Sequence, residues 1–187
     1  MDFCPKHNSK LFQTSDGLKC RTCDNYDPIK EKSIITRKTY SDDPTSYVKN
    51  EYYIQKEIRK SLGLGTMRGI NLKRQQNIIV IFSNAHALKP NQNNVYIDKY
   101  DSKTGYYYYT GEGLEGDQPM SGGNLALRKA KETNKKVHLF WQHTLGSDHQ
   151  YVGKVEVKYD GTKDQYDKNG RLRKVHVFLL KPIQDIF

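Results

Sequence analysis

The sequence predicts an α+β protein, a curved, mostly antiparallel sheet or half-barrel with few helices, preceded by a small zinc ribbon. Three observations carry that prediction. Six short runs after residue 77 combine β-branched and aromatic side chains and are separated by Asn, Asp and Gly. Only two stretches repeat apolar residues at helical spacing. All three cysteines of the 187-residue chain fall within its first 23 positions.

The ribbon comes first. Cys4-Pro5-Lys6-His7 and Cys20-Arg21-Thr22-Cys23 are joined by a twelve-residue spacer containing Asp16-Gly17. Two such pairs at the ends of a turn-bearing segment can place four donors tetrahedrally around Zn2+, an imidazole nitrogen replacing one thiolate. Cys4, His7, Cys20 and Cys23 would fill every coordination position, so the expected zinc is structural. Three cysteines in this pattern make no disulfide framework and suit a reducing compartment. The start of the chain lacks the basic and apolar regions of a signal peptide, and no apolar run is long enough to cross a bilayer. An intracellular, cytoplasmic protein without a membrane partner is expected. Residues 1–27 are assigned to the ribbon. Residues 28–50, polar and broken by Pro28, Pro44 and Ser41-Asp42-Asp43, are assigned to a linker, and 51–187 to the main domain.

Within that domain Tyr52, Ile54, Ile58 and Leu62 predict an amphipathic helix over Glu51–Leu62, ended by Gly63, Gly65 and Gly69. Arg59, Lys60, Arg68, Lys73 and Arg74 flank the glycine-rich loop, where contacts to phosphate are expected. Strands are predicted at Ile78–Phe82, Val95–Ile97, Tyr106–Tyr109, Val137–Trp141, Tyr151–Tyr159 and Val175–Leu180. A second helix fits about Gly123–Thr133, where Leu125, Leu127 and Ala130 form an apolar stripe beside Arg128.

The charge balance narrows the partner. Lys and Arg number 31 against 21 Asp and Glu, a net +10. After residue 50 the chain holds 22 basic and 14 acidic side chains, so the larger part of the excess belongs to the main domain. Such a field attracts polyanions, nucleic acid foremost. Arg68, Lys73, Arg74 and Arg128 are the expected backbone contacts.

The most informative segment runs from Val95-Tyr-Ile-Asp98 through Tyr106-Tyr-Tyr-Tyr-Thr-Gly-Glu-Gly113 to Asp117-Gln118 and Gly123-Asn-Leu-Ala-Leu127. A protein that inspects a base beyond its paired edge must extrude it, hold it between aromatic faces and satisfy its hydrogen-bonding edge. Tyr96 and Tyr109 can supply the faces, and Asp98 can accept from a cytosine amino group. Gly111, Gly113 and Gly116 would let backbone approach a nucleotide closely.

A strand ending in Tyr-Thr-Gly-x-Gly, preceded by Tyr and Asp and followed by Asp-Gln and Asn-x-Ala-Leu, resembles the SRA (YDG) fold that reads modified cytosine. The resemblance spans about residues 67–182 and is closest to the prokaryotic SRA-like domains found beside nucleases. It implies an SRA/PUA-like half-barrel that flips a modified base such as 5-methylcytosine out of duplex DNA, as the recognition part of a restriction or defence system. Its pocket would comprise Tyr109 and Thr110 with Gly111, completed by an upstream tyrosine and aspartate. Tyr96 and Asp98 match those positions, and Tyr100 and Asp101 lie close enough to take their place. The partner implied is a nuclease domain or subunit.

Two other functions compete. A compact metal-dependent nuclease would draw on His138, His143, His149 and His176 and on an acidic loop of Asp160, Asp164 and Asp167, although isolated strand histidines are most often structural. An RNA-binding PUA-like module would use a barrel of the same general shape.

Overall fold

The computed structural model describes residues 39–65, 68–83, 96, 98–144 and 146–184, together with the backbone of Phe12–Thr14 and Gly17–Lys19. The chain divides into two compact units, residues 1–38 and 39–187. In the first, β1 (Phe12–Thr14) and β2 (Gly17–Lys19) pair antiparallel, with Phe12 opposite Lys19 and Thr14 opposite Gly17. This hairpin occupies the spacer between the two expected ligand pairs. Cys4, His7, Cys20 and Cys23 lie outside the described residues.

The second unit is built on β3 (Tyr52–Tyr53), β4 (Ile70–Lys73), β5 (Ile78–Ser83), β6 (Lys99–Asp101), β7 (Tyr106–Thr110), β8 (Lys136–Trp141), β9 (His149–Tyr166) and β10 (Leu172–Pro182). They form one mixed sheet in the order β4-β5-β8-β9-β10-β7-β6, with β3 paired beside β9. Every pairing is antiparallel except β5 with β8. These two strands are covered on both faces, which is why Ile78-Ile-Val-Ile-Phe82 reads as an unbroken apolar run rather than an alternation.

Each face carries its own core. Ile79, Ile81, Leu139 and Trp141 join Tyr107, Tyr109, Phe178 and Leu180 on one side. Ile78, Val80, Phe82 and Phe140 join Tyr47, Tyr53 and Tyr151 on the other. One short helix serves each face: α1 (Gln55–Ser61) inserts Ile58, and α2 (Gly122–Arg128) inserts Leu127. The 18-residue β9 crosses both regions by bending. Its pairing slips opposite Leu139/Phe140 and again opposite Val177/Phe178. Gly153 and Gly161 adjoin those bulges at φ +104° and +95°, backbone that a side chain would strain.

Several elements depart from the sequence expectation. The helix expected from Glu51 begins at Gln55, because Tyr52-Tyr53 pairs with β9. Tyr53 is 4% exposed whereas Tyr52 and Ile54 are 42% and 51% exposed, a period of two rather than 3.6. No strand is expected from the sequence before Ile78, yet Ile70–Lys73 directly after Gly69 forms β4, whose Ile70 faces the core. The second helix stops at Arg128 rather than Thr133, and Leu125 is exposed while Leu127 is fully buried. The strand expected over Val95–Ile97 lies, apart from Tyr96, outside the described residues, and the next described strand is Lys99–Asp101. Residues 39–50, polar in sequence, belong to the larger unit: Pro44–Ser46 forms a 3-10 turn capped by Asp43, and Tyr47 is buried among aromatic rings.

Candidate functional site

The site forms where β7 leaves the sheet. Along this strand Tyr107 and Tyr109 turn into the core, Tyr106 and Tyr108 lie half-buried on the other side, and Thr110 ends the strand, buried. Asp98 lies across from that end. Its carboxylate accepts from Ser83 Oγ at 2.6 Å, at the tip of β5, and from the Thr110 amide at 2.9 Å. Burial pushes its pKa up to about 6, against the opposing pull of these hydrogen bonds and of one from the Thr110 side chain. The four lone-pair sites of a carboxylate leave one acceptor position beyond these three donors.

Tyr96 is half-buried beside it. Burial raises its phenol pKa, opposed by a hydrogen bond from the Gly113 backbone and by the charge of Arg173. Tyr109 is 4% exposed, and burial pushes its phenol far above the ordinary value, with Asp98 and Glu112 adding negative charge nearby. Its hydroxyl occupies the space beside Gly69 that a β-carbon would need. The five residues expected in the pocket, Tyr96, Asp98, Tyr109, Thr110 and Gly111, are thus neighbours. The expectation of a presented stacking face does not hold for Tyr109 in this state, because strand alternation turns its ring into the core. Asp101, the alternative to Asp98, accepts from the Lys103 amide and Thr104 Oγ1 in the β6–β7 turn, and Tyr100 is 42% exposed against Tyr107.

The glycine loop after Thr110 is fastened on three sides. Glu112 Oε1 accepts from the Ile70 amide of β4 at 2.9 Å. Arg173 Nη1 donates to the Gly113 carbonyl at 2.7 Å, and the Lys174 amide donates to Asp117 Oδ1 at 2.7 Å. Asp167, 2% exposed, accepts from the Asn169 and Arg171 amides at 2.8 and 2.9 Å and from the Gly116 amide at 3.3 Å. The turn after β9 and the glycine loop are therefore one hydrogen-bonded body.

That geometry accounts for the expected acidic loop. Asp160 and Asp164 are exposed within β9 beside Lys163 and Lys174, and Asp167 is spent on backbone amides. The histidines also separate. His138 Nδ1 bonds the Tyr151 hydroxyl at 2.7 Å and His176 Nδ1 the Tyr159 hydroxyl at 2.8 Å, while His149 packs against Phe82 and His143 pairs with Gln150 at the surface. Burial lowers His138 and His149 to about 4. Among the described residues no three His, Cys, Asp or Glu side chains converge as a metal site.

Of the expected phosphate contacts, Arg68 is exposed ahead of β4 and Arg74 lies on the 3-10 turn Arg74–Gln76. Lys73 donates to the Asp42 carbonyl at 2.6 Å. Arg128 is exposed at the end of α2, its guanidinium 4.7 Å from the Tyr159 ring centre. Arg59 is different. It is 7% exposed, stacks 4.2 Å from the Phe82 centroid, and donates to the Gly65 and Arg68 carbonyls at 2.6 and 2.8 Å. It shapes the loop carrying Arg68 and does not face phosphate. Sequence reasoning missed this because nothing in the sequence separates Arg59 from Lys56 and Lys60 on the same short helix, and a basic residue there carries no sign of burial.

Among solved structures, the sulfur-binding and SRA domains of ScoMcrA complexed with phosphorothioated DNA match with a TM-score of 0.58 at 17% identity, over 74% of this chain and 40% of that one. The Type IV phosphorothioation-dependent restriction endonuclease ScoMcrA matches at 0.57 and 15%, over 74% of this chain and 27% of that one. The SUVH5 SRA complex with hemimethylated CG DNA matches at 0.53 and 22%, over 79% of this chain and 95% of that one. At these identities the likeness establishes the fold. The chain spans less than half the length of the two ScoMcrA chains. No curated protein gives a significant sequence match. The ScoMcrA-like SRA domain family matches residues 48–187, from the strand beside β9 through the glycine loop to the end of β10. With well over half of its length accounted for in this way, the chain belongs to the ScoMcrA-like SRA domain family.

Proposed function

We propose that this chain reads modified DNA by flipping a modified base, cytosine foremost, out of the duplex into a pocket lined by Tyr96, Asp98, Tyr109, Thr110 and Gly111. The observation that carries the proposal is the Asp98 carboxylate, anchored by Ser83 and the Thr110 amide and short of water. An acidic acceptor of this kind suits the amino group of cytosine. The family match and the likeness to proteins solved with phosphorothioated and hemimethylated DNA support the same class of ligand. Because Tyr109 is buried, a base stacking on it must displace whatever now covers its ring. The chain would be the recognition part of a restriction or defence system, with cleavage by a nuclease domain or subunit.

The test is competition between modified and unmodified duplexes, with 2-aminopurine beside the modified base. Extrusion should raise 2-aminopurine fluorescence. Discrimination with unchanged fluorescence would mean that the base is read in the groove. Contacts from Arg68, Lys73, Arg74 and Arg128 to phosphate predict a second result: affinity for either duplex falls steeply between low and physiological salt, as displaced counterions require. Binding that is flat across that range would remove the polyanion reading.

The N-terminal unit is proposed to hold one structural Zn2+ through Cys4, His7, Cys20 and Cys23. The antiparallel pairing within the spacer supports it. Elemental analysis should return one zinc per chain, lowered by Cys20→Ser, with the SRA domain still folded. Protein purified without chelator and found free of zinc would refute this.

A further inference from the structure

The Asp117-Gln118 and Asn124-x-Ala-Leu127 motifs have no part in the pocket itself, yet both side-chain amides are buried against the loop that forms it. Gln118 is 5% and Asn124 2% exposed. The Gly111 amide donates to the His176 carbonyl at 2.8 Å, continuing the β7–β10 pairing one residue beyond Thr110. In an unbroken ladder the His176 amide would return a bond to the Gly111 carbonyl. Instead it donates to Gln118 Oε1 at 2.9 Å, and Gln118 Nε2 donates to the Gly111 carbonyl at 2.5 Å. One carboxamide thus replaces one of the two bonds of that rung, and the direct pairing of β7 with β10 ends there.

Asn124 holds the other side. Its Oδ1 accepts from the Glu112 amide at 2.7 Å, and its Nδ2 donates to the Glu112 and Pro119 carbonyls, both at 3.0 Å. It meets both polar groups of one residue, as a neighbouring strand would. A β-carbon on Gly111 would come within 2.6 Å of Asn124 Oδ1 and 3.0 Å of Gln118 Oε1, so the fit requires glycine there.

We infer that Gln118 is a positioning residue for base recognition: its amide ends the β7–β10 pairing at Gly111 and so sets the course of the glycine loop, and with it the Thr110 amide that holds Asp98 towards the flipped base, while Asn124 fixes the loop from the α2 side. The inference rests on the base-reading proposal above. It differs from a purely stabilising role in what it predicts for discrimination.

The experiment compares Gln118→Met with the native protein in two measurements. In the free protein, hydrogen exchange at the His176 amide should accelerate at least tenfold, because its acceptor is gone, and Gly111 should exchange faster with it. With DNA, the preference for a duplex carrying modified cytosine over its unmodified counterpart should fall at least tenfold, with affinity for unmodified DNA unchanged. Unchanged exchange would overturn the clamp. Faster exchange with undiminished preference would overturn the positioning role. A native protein that shows no preference would sink the base-reading proposal instead, leaving the clamp to be judged by exchange. Should Gln118→Met not fold, Gln118→Glu serves: it keeps the acceptor for His176 but sets a carboxylate oxygen against the Gly111 carbonyl, and the same loss of preference is expected.

Discussion

Replacing Asp98 with asparagine should remove most of the preference for modified DNA and, at neutral pH, make the protein more stable. Asparagine can keep its oxygen on the Thr110 amide and turn its amide towards Ser83, but it brings no negative charge to a base amino group. Hydrogen bonds to charged partners contribute about 1.5–3 kcal/mol, roughly one to two orders of magnitude in discrimination. Stability moves the other way. The folded pKa is raised from 3.8 to about 6, so the folded state binds the proton more tightly. That contribution is fully present below the unfolded pKa and is lost as pH rises through about 6. At pH 7 the charged group therefore costs the fold about 1–3 kcal/mol, and Asp98→Asn relieves it. His138 and His149 act in the opposite sense: held neutral to about 4, they stabilise the fold above their unfolded pKa and lose that contribution as pH falls. Denaturation of variant and native protein at pH 5 and 7 isolates Asp98, since the gap between the two should shrink at pH 5. Native discrimination should also decline as pH drops through about 6. A preference unaffected by Asp98→Asn would mean that this carboxylate does not read the base.

Tyr109→Ala should cost about 3–5 kcal/mol of stability as well as the preference for modified DNA, because it empties a core position. Stacking on an aromatic face adds about 1–3 kcal/mol per base, so the binding loss should survive correction for any unfolded fraction. Tyr109→Phe separates the two effects. It keeps the ring, frees the space beside Gly69, and should retain most of the stability and the preference. If the phenylalanine variant folds normally but no longer discriminates, the hydroxyl and not the ring face does the reading. Chemical denaturation with parallel competition binding provides both measurements.

The sheet was legible wherever burial left a mark on composition. Ile78–Phe82 and Val137–Trp141 announce themselves because both faces are covered. β4 did not, since four residues after a glycine are too few for a period to register. Tyr52 and Ile54 mimic a helical stripe because exposed apolar residues are common at surfaces. For the site, residue types and order pointed to Asp98, Thr110 and Gly111, which the fold brings together. They could not distinguish a tyrosine that faces a ligand from one that faces the core, because both suit a strand. Nor could they reveal Arg59, Asp167 or Gln118, whose tasks depend on carbonyls and amides brought together from distant parts of the chain.

The parallel pairing of β5 with β8 has a consequence for how the molecule assembles. It joins Ile78 to Lys136 and Ser83 to Trp141, so every residue of the proposed pocket, from Tyr96 to Gly111, lies on the loop that this pairing closes. Closing a loop of that length is a slow, non-local event. The β9–β10 hairpin, with its short turn, needs no such search and is suited to form first. A full-length chain refolding from denaturant would thus hold its hairpin strands before it had a recognition site. Cutting the loop would remove the site without removing the hairpin.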